Sequence, residues 1–264
     1  MPSSMRTTID WHDWPSVIIA RCLTALLALT SVLALAPSAE AATPGDLPGA
    51  ADAQQVIVVT STDYRSTRAR LSAYEKLPDG RWVTVVSDVP AFVGARGIVP
   101  GASRRQGTNT TPAGTYAITS AFGRQSNPGT TLPYVRVDRN DAWTYSPSAP
   151  STYNVFQSAA VSWASYGRYV ERLWNMGRQY DYVAVLDYNL PGGTITTDAR
   201  GIRRTDEPAD TRAGGGIFLH VSKGEPTAGC ISINESTMRK VMDWLDVTKK
   251  PVIVIGSAKA LSIS

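Results

Sequence analysis

Cysteine and histidine are scarce in this chain, with two residues of each type among 264. Cys22 and His12 both lie in the first forty residues, which differ in character from the rest of the sequence. If that segment is removed, Cys230 is the one remaining thiol, so no internal disulfide can form. His220 is then the one remaining imidazole, ten residues before Cys230. A fold held together by internal disulfides is therefore excluded.

Charge is moderate and gives few indications of a partner. Charged residues make up 18% of the chain and hydrophobic residues 43%, which excludes a disordered or fibrous protein. The net charge is +4, and no block of arginine and lysine is dense enough to predict binding to nucleic acid. A small positive excess favours weak, salt-screened contact with anionic cell-surface polymers, although solubility alone explains it equally well.

The first 41 residues have the composition of a targeting segment. Arg6 and Arg21 precede an apolar run over Cys22–Ala36, and Ala39-Glu40-Ala41 supplies small residues at the spacing of a cleavage site. The run has 15 residues, fewer than the roughly 20 that span a bilayer as a helix. We interpret residues 1–41 as a secretory signal peptide cleaved near Ala41; an uncleaved membrane anchor is the alternative.

The remaining sequence predicts one mainly β domain over residues 55–258, preceded by a short flexible leader over 42–54 that is rich in proline and glycine. Short segments with β-branched or aromatic residues, bounded by turn residues, predict strands. They are Val56–Ser61, Arg70–Glu75, Trp82–Ser87, Thr115–Thr119, Tyr134–Asp138, Tyr182–Leu186, Ile217–Val221 and Val252–Ile255.

Two segments predict helices beside these strands. Tyr166–Met176 carries an apolar stripe at helical spacing, and Asn234 can cap a helix that carries four apolar residues between Met238 and Leu245. The stretch Asn189–Gly216 has no apolar period, and we expect a long loop there. Such a loop either covers a functional site, since it leads directly to His220, or is a plain surface excursion.

The segment from Gly216 to Ile233 contains the residues most suited to chemistry. A thiol with an ordinary pKa is mostly protonated at neutral pH, so a catalytic Cys230 needs a nearby base, and His220 is the imidazole available. A strand over Ile217–Val221 followed by a turn over Glu225–Ala228 would bring the two side chains together. Gly229 lacks a Cβ atom, which would let a substrate carbonyl approach and leave backbone N–H groups facing a developing oxyanion.

Purely structural roles are the alternative for these residues. A lone cysteine is commonly a small buried hydrophobic residue, and a lone histidine among apolar residues is commonly part of the core. Trp143, Tyr145 and Tyr153 also have two readings, since their rings could stack on glycan or peptide, but burial in the core is the favoured one.

Several segments resemble one known family. The run His220…Thr227-Ala228-Gly229-Cys230-Ile231 resembles the YkuD-type L,D-transpeptidase motif, in which a histidine precedes a Ser/Thr-x-Gly-Cys turn that holds the nucleophile. Upstream, Gly107–Tyr116 is similar to the glycine-rich T-P-x-G-x-[FY] segment of that family. Asp141–Asn154 and Leu186–Asn189 are similar to secondary signatures of exported, actinobacterial-style members. Together these segments span about residues 94–255.

The resemblance implies a YkuD-like β-sandwich with one or two flanking helices and acyl transfer on peptidoglycan stem peptides at the cell wall, outside the cytoplasm. It implies Cys230 as nucleophile and His220 as general base and acid. Position in the turn, rather than the resemblance, makes Thr227, Ala228 and Gly229 the candidate oxyanion or substrate-binding residues, and Thr227 could also orient the imidazole or the turn. The resemblance implies no metal and no organic cofactor. The expected partner is peptidoglycan rather than nucleic acid, and we expect a monomer.

The chain departs from the family pattern at two positions. Many members have glycine directly after the histidine and arginine two residues after the cysteine, whereas this chain has Val221 and Ser232 there. A substrate contact through that arginine therefore does not transfer. Three functions stay open: an L,D-transpeptidase, an L,D-carboxypeptidase on the same scaffold, and a non-catalytic wall-binding module. The last is disfavoured because binding alone needs neither Cys230 nor His220.

Overall fold

The computed structural model describes residues 42–158 and 169–261, and in these ranges the chain is mainly β. The strands are β1 (Gln55–Ser61), β2 (Arg68–Lys76), β3 (Trp82–Phe92), β4 (Ile98–Pro100), β5 (Thr111–Gly123), β6 (Tyr134–Arg136), β7 (Ala142–Thr144), β8 (Val155–Gln157), β9 (Val170–Arg172), β10 (Val183–Leu186), β11 (Gly192–Thr197), β12 (Arg203–Glu207), β13 (Phe218–Val221), β14 (Ile231–Ile233) and β15 (Val252–Ser257). The α-helix in these ranges is α1 (Glu235–Trp244). The predicted mainly β fold is confirmed.

A ten-stranded sheet forms the body of the domain, in the order β10-β13-β14-β3-β2-β1-β15-β5-β4, with β6 paired to β5. The long strand β5 pairs with β15 over Gly114–Ala117 and with β10 over Ile118–Phe122. Because β10 is also the first strand of the series, the hydrogen-bonded circuit closes on itself. Two smaller sheets, β8-β7-β9 and the hairpin β11-β12, accompany it.

The pairing of β13 with β14 is parallel, and it determines which side chains share a face. Leu219 lies opposite Ile231 and Val221 opposite Ile233, and all four are buried in the main core. Since side chains alternate along a strand, Phe218, His220 and Ser232 point to the other face. There Phe218 joins a second core, which is rich in aromatic residues.

The eight predicted strands all occur, and each differs from its predicted bounds at one end or at both. The Thr115–Thr119 segment extends to thirteen residues in β5, and the Trp82–Ser87 segment extends to Phe92 in β3. Three-residue strands such as β7, β9 and β14 were not predicted, because three residues are too few to show an alternating pattern.

The helix predicted over Tyr166–Met176 is wrong in its described part. Val170–Arg172 instead forms β9, which pairs antiparallel with β7, and Leu173–Tyr180 forms 3-10 turns broken at Gly177, whose φ is 69°. Strand pairing with β7 outweighs the helical spacing of the apolar residues. Residues 166–168 lie outside the described ranges. The C-terminal helix prediction is confirmed: Asn234 caps α1 by accepting a 2.9 Å hydrogen bond from the Thr237 backbone N–H.

Residues 42–54 pack onto the sheet rather than forming the unpacked leader that their composition predicted. Leu47, Ala50 and Ala53 are buried against Val56 of β1 and Val254 of β15. Apolar side chains within the Pro/Gly-rich segment account for this attachment. In the part of the chain that the structure describes, no helix is long and apolar enough to cross a membrane.

The stretch Asn189–Gly216 is not the irregular loop that its lack of apolar period predicted. It contains the hairpin β11-β12, whose turn is fixed by the Asp198 carboxylate, which accepts hydrogen bonds from the Arg200 and Ile202 backbone N–H groups. Gln157 of β8 exchanges two hydrogen bonds with the Arg203 backbone and so anchors the hairpin. Of this stretch, Gly214–Gly216 border the cavity at Cys230.

Candidate active site

The turn before Cys230 is built around the Thr227 side chain. Its hydroxyl donates a 2.6 Å hydrogen bond to the Cys230 carbonyl oxygen and accepts one from the Gly229 N–H. The Thr227 backbone also bonds to Val93 and Ala95 at the end of β3. A threonine here therefore closes the turn and ties it to the sheet, which gives the Thr-x-Gly-Cys order a physical reason.

The two sequence motifs meet at this turn. The Thr111 hydroxyl, at the start of β5, donates a 3.3 Å hydrogen bond to the Cys230 carbonyl and accepts one from the Gly94 N–H. The backbone of the upstream segment also approaches Gly229, since a Cβ atom there would lie 3.0 Å from the Thr110 carbonyl oxygen and 2.9 Å from the Arg104 guanidinium. Gly229 has φ 147°, which L side chains rarely adopt. Both constraints require glycine.

The oxyanion role expected of Gly229 needs a correction. Its N–H already donates to the Thr227 hydroxyl at 3.1 Å, so it does not face a substrate carbonyl. The glycine serves instead to let the upstream segment and Arg104 approach the turn that carries Cys230. Ala228 does border both cavities beside Cys230, as a substrate-binding position requires.

Cys230 is half-buried, and its surroundings favour the protonated thiol over the thiolate. Its thiol donates a 3.2 Å hydrogen bond to the Gly216 carbonyl oxygen. Burial, with a smaller contribution from the negative charge of Glu171, raises the pKa of the Cys230 thiol to about 12, while Arg104 acts in the opposite direction. The resting group at neutral pH is thus the thiol, and a base is needed to generate the thiolate.

The His220 side chain is buried, and one of its two ring nitrogens has a hydrogen-bond partner. Its Nδ1 lies 2.8 Å from the Val221 carbonyl oxygen. A carbonyl oxygen only accepts hydrogen bonds, so this contact assigns the proton to Nδ1 and leaves the lone pair on Nε2. Burial lowers the pKa of His220 to about 4, so the imidazole is neutral at pH 7. A neutral imidazole with a free Nε2 is the form that can accept a proton.

The Asn154 side chain connects the segments Asp141–Asn154 and Leu186–Asn189 to Gly216, whose carbonyl oxygen accepts the hydrogen bond of the Cys230 thiol. Its side-chain oxygen accepts hydrogen bonds from the Trp143 indole at 2.7 Å and from the Gly216 N–H at 2.8 Å. Its amide nitrogen donates to the Tyr188 and Asn189 carbonyl oxygens. One buried side chain thus fixes Gly216, and through its carbonyl the resting position of the Cys230 sulfur.

Of the three aromatic residues expected in the core, Trp143, Tyr145 and Tyr153, two are buried. Trp143 and Tyr153 are buried, and Trp143 packs against Phe218 with ring centroids 5.0 Å apart. Tyr145 is partly exposed and borders the cavity beside Cys230. An aromatic surface is therefore available to a substrate at that position.

Two cavities flank Cys230, and it borders both. We call the first the arginine-side cavity; it has a volume of about 200 Å³ and is bordered by Arg104, Tyr145 and Gly214–Gly216. We call the second the histidine-side cavity; it has a volume of about 230 Å³ and is bordered by His220, Tyr180, Lys223 and Glu225. The predicted nucleophile and base therefore share the histidine-side cavity.

Arg104 is a site residue that the sequence did not single out. It is 4% exposed, and its guanidinium donates to the Thr110 and Ala213 carbonyl oxygens while lying over the Tyr188 ring. Ser232, where many members of the resembled family have arginine, is 1% exposed, and its hydroxyl has no hydrogen-bond partner in the described residues. The positive charge near Cys230 thus comes from Arg104, which lies in the connection between β4 and β5, three residues before Gly107.

Glu171 and Tyr180 are the other residues that sequence reasoning missed. Glu171 borders both cavities, and its carboxylate lies near enough to the Tyr180 phenol for that group to lower its pKa against the larger effect of burial. The Tyr180 ring also contacts the His220 ring, edge to face, with centroids 5.5 Å apart. Both residues lie where a helix was predicted, so their positions could not be read from the sequence.

Comparison with known proteins gives one match. The model of the YkuD L,D-transpeptidase catalytic domain matches residues 55–254, well over half of the chain. No curated protein and no solved structure matches the chain significantly. The matched range includes the Thr111-Pro112 segment, which meets the Cys230 turn, and His220, which borders a cavity with Cys230. The chain belongs to the YkuD family of L,D-transpeptidase catalytic domains.

Proposed function

We propose that the protein is an exported L,D-transpeptidase that acts on peptidoglycan stem peptides through a Cys230 thioester. The observation that carries the proposal is that Cys230 and His220 border one cavity in a chain of this family, with Nε2 of His220 free to accept a proton. Two cavities at one sulfur also fit a reaction with two peptide substrates, a donor and an acceptor.

The first half-reaction is acylation of the thiol. His220 Nε2 takes the Cys230 proton as the sulfur attacks the carbonyl carbon of the residue before the terminal D-amino acid. The tetrahedral intermediate collapses, the peptide C–N bond breaks, and His220 returns the proton to the leaving amine. Because both groups are neutral at rest, proton transfer accompanies attack rather than preceding it.

The second half-reaction transfers the acyl group. An amine of a neighbouring stem attacks the thioester carbonyl while His220 takes a proton from its nitrogen. The C–S bond breaks, and His220 passes that proton to the sulfur, which regenerates the thiol. Water in place of the amine would give a shortened stem and make the enzyme an L,D-carboxypeptidase. Competition between amine and water is therefore what separates the two activities.

Export follows from the amino-terminal sequence and is part of the proposal. Arg6, Arg21, the apolar run and the small residues around Ala41 support a signal peptide, and peptidoglycan lies outside the cytoplasm. Expression of the full chain in a secreting host, followed by mass measurement of the protein outside the cytoplasm, tests it. A mature chain beginning near residue 42 is expected; retention of residues 1–41 in a membrane fraction contradicts it.

The activity is tested by intact-protein mass spectrometry of residues 42–264 with disaccharide-tetrapeptide, with release of the terminal D-amino acid followed in parallel. The expected result is an acyl adduct that is absent from Cys230→Ala and a cross-linked product. Cys230→Ala needs a check of folding by circular dichroism. An adduct that yields only shortened stems assigns the carboxypeptidase. Neither adduct nor release from folded protein contradicts the proposal and favours a wall-binding module.

A further inference from the structure

Glu171 is a carboxylate at the meeting point of the two cavities. It is the central residue of β9, opposite Trp143 of β7 in the antiparallel register. Together with Ala228 and Cys230 it borders both the arginine-side and the histidine-side cavity. Burial is the largest cause of the raised pKa of Cys230, and the negative charge of Glu171 is the second largest. The carboxylate therefore acts on the sulfur. The acid is therefore a neighbour of the reacting atom.

The Glu171 carboxylate has capacity to bind a further donor. A carboxylate offers about four lone-pair sites, and the nearby Tyr180 phenol, with a single O–H group, can occupy one of them at most. Among residues 42–158 and 169–261, no lysine, arginine or histidine nitrogen lies within 4.0 Å of it. Lys223 attracts it only at longer range. A carboxylate withdrawn from water without a counter-ion is unfavourable, and a cationic ligand would relieve that cost.

The reaction supplies such a ligand. An aliphatic amine of the acceptor has an ordinary pKa near 10.4 when it is a lysine-type group, so it arrives as an ammonium ion and must lose a proton before it can attack. The histidine-side cavity is bordered by two glutamates, Glu171 and Glu225, and one lysine, Lys223, whereas in the arginine-side cavity the charge of Arg104 offsets that of Glu171. The acceptor ammonium is therefore expected on the histidine-side, against Glu171.

We propose that Glu171 is the acceptor site of the enzyme: its carboxylate binds the ammonium group of the incoming stem peptide and takes one proton from it before attack on the Cys230 thioester. This inference rests on the proposed function. The ligand class is a primary alkylammonium, and a neutral nucleophile would gain nothing from the site.

The protons balance as follows in this step. The ammonium nitrogen begins with three protons and gives one to the Glu171 carboxylate. The free amine forms the C–N bond as the C–S bond breaks, and its second proton passes through His220 to the sulfur. The third remains as the amide N–H, and Glu171 later releases its proton to solvent. Burial raises the pKa of Glu171 to about 7, which suits a group that gains and loses a proton at neutral pH.

The test compares charged and uncharged acceptors on the pre-formed thioester. The probes are Nα-acetyl-lysine amide, which is cationic, and hydroxylamine, which is largely uncharged at neutral pH, each mixed with acylated enzyme of residues 42–264. Glu171→Gln keeps the shape and an oxygen that can accept from Tyr180. Loss of one charge-assisted hydrogen bond predicts an about 10- to 100-fold loss of transfer to the lysine probe, with hydrolysis and transfer to hydroxylamine changed less than about threefold.

Two further variants separate binding from folding. Glu171→Asp keeps the charge and is expected to restore part of the transfer to the lysine probe. Glu207→Gln, an exposed glutamate on the β11-β12 hairpin, makes the same charge change away from both cavities and is expected to behave as wild type. An equal loss with all nucleophiles in Glu171→Gln would assign Glu171 a structural role and overturn the proposal.

The proposed function and this inference fail in different measurements. If the wild-type enzyme forms no thioester, the mass spectrum shows it before any acceptor is added, and both ideas are overturned. If the thioester forms and Glu171→Gln still prefers the lysine probe as wild type does, only the acceptor site is overturned.

Discussion

The Cys230 thiol donates its hydrogen bond to the Gly216 carbonyl oxygen, with 3.2 Å between sulfur and oxygen. Only the protonated sulfur can donate such a bond, so the contact stabilises the thiol over the thiolate. Gly216 is held in turn by the Asn154 side chain. The resting enzyme is thus arranged as a neutral thiol beside a neutral imidazole, and the ionic pair familiar from many cysteine enzymes is not its ground state.

This arrangement predicts slow alkylation of the free enzyme. With the pKa of Cys230 at about 12, iodoacetamide at pH 7 is expected to react at least about 100-fold more slowly than with free cysteine, whose pKa is near 8.5. The rate should keep rising beyond pH 9. The control is the same measurement on urea-unfolded protein, in which the thiol regains ordinary reactivity. Fast alkylation with a midpoint near pH 7 would instead indicate a thiolate–imidazolium pair.

Gly229→Ala is expected to remove acylation even if the protein folds. A Cβ atom would contact the Arg104 guanidinium and the Thr110 carbonyl at 2.9 and 3.0 Å, and φ of 147° adds strain of about 1–3 kcal/mol. The turn that carries Cys230 must then shift. Gly80→Ala is the matched control, because Gly80 also has positive φ but no atom within 4 Å of its Cβ position. If Gly229→Ala loses only as much stability as Gly80→Ala and still forms the acyl adduct, the close approach of Arg104 and Thr110 to Gly229 is unimportant.

Asn154→Ala should both destabilise the protein and disturb the nucleophile. It leaves the Trp143 indole and the Gly216 N–H without their acceptor, and buried unsatisfied groups cost about 1–3 kcal/mol each. Urea denaturation measures the loss, and thiol alkylation reports the altered sulfur. Asn140→Ala, at an exposed turn position, serves as control. If Asn154→Ala is less stable but its thiol is alkylated at the wild-type rate, the Asn154 side chain does not influence Cys230.

The sequence predicted the nucleophile turn better than the rest of the site. Thr227, Gly229 and Cys230 are adjacent in the chain, so their pattern carries their geometry. Arg104 and Glu171 reach the site only through long-range pairing, of β9 with β7 and of the upstream segment with the turn. Glu171 was hidden further because the apolar residues around it follow helical spacing, whereas pairing with β7 makes the segment a strand. The fold class could be predicted because apolar and polar residues alternate along the long strands. The strand order could not, because it depends on contacts between residues that are distant in the sequence.

Ser232→Ala is expected to raise stability by up to about 1 kcal/mol. The Ser232 hydroxyl is buried beside β13 without a partner in the described residues, and replacing an unsatisfied polar group by a methyl removes its desolvation cost. Thermal denaturation at pH 7.5 measures the gain, with Ser148→Ala on the surface as reference. A loss of stability would mean that the hydroxyl has a partner, such as a bound water.

Acidification is expected to expose two opposing contributions to stability. The folded pKa of His220, about 4, lies below its ordinary 6.5, so between these values the unfolded chain binds a proton that the folded chain does not, and stability falls as pH falls. The folded pKa of Glu171, about 7, lies above its ordinary 4.5, so over nearly the same range the folded chain binds the proton first, and stability rises as pH falls.

The two contributions nearly cancel in the wild type, and single variants should separate them. Between pH 7 and pH 5, Glu171→Gln is expected to lose stability and His220→Gln to gain it, each by up to about 2–3 kcal/mol from shifts worth about 1.4 kcal/mol per pKa unit. Urea midpoints at both pH values measure the change, and the double variant should again show little dependence. Since the two shifts share one cause, burial around the histidine-side cavity, opposite slopes in the single variants would indicate that this cavity excludes water in solution. A flat slope in either variant would show that the group it retains is hydrated and titrates near its ordinary value.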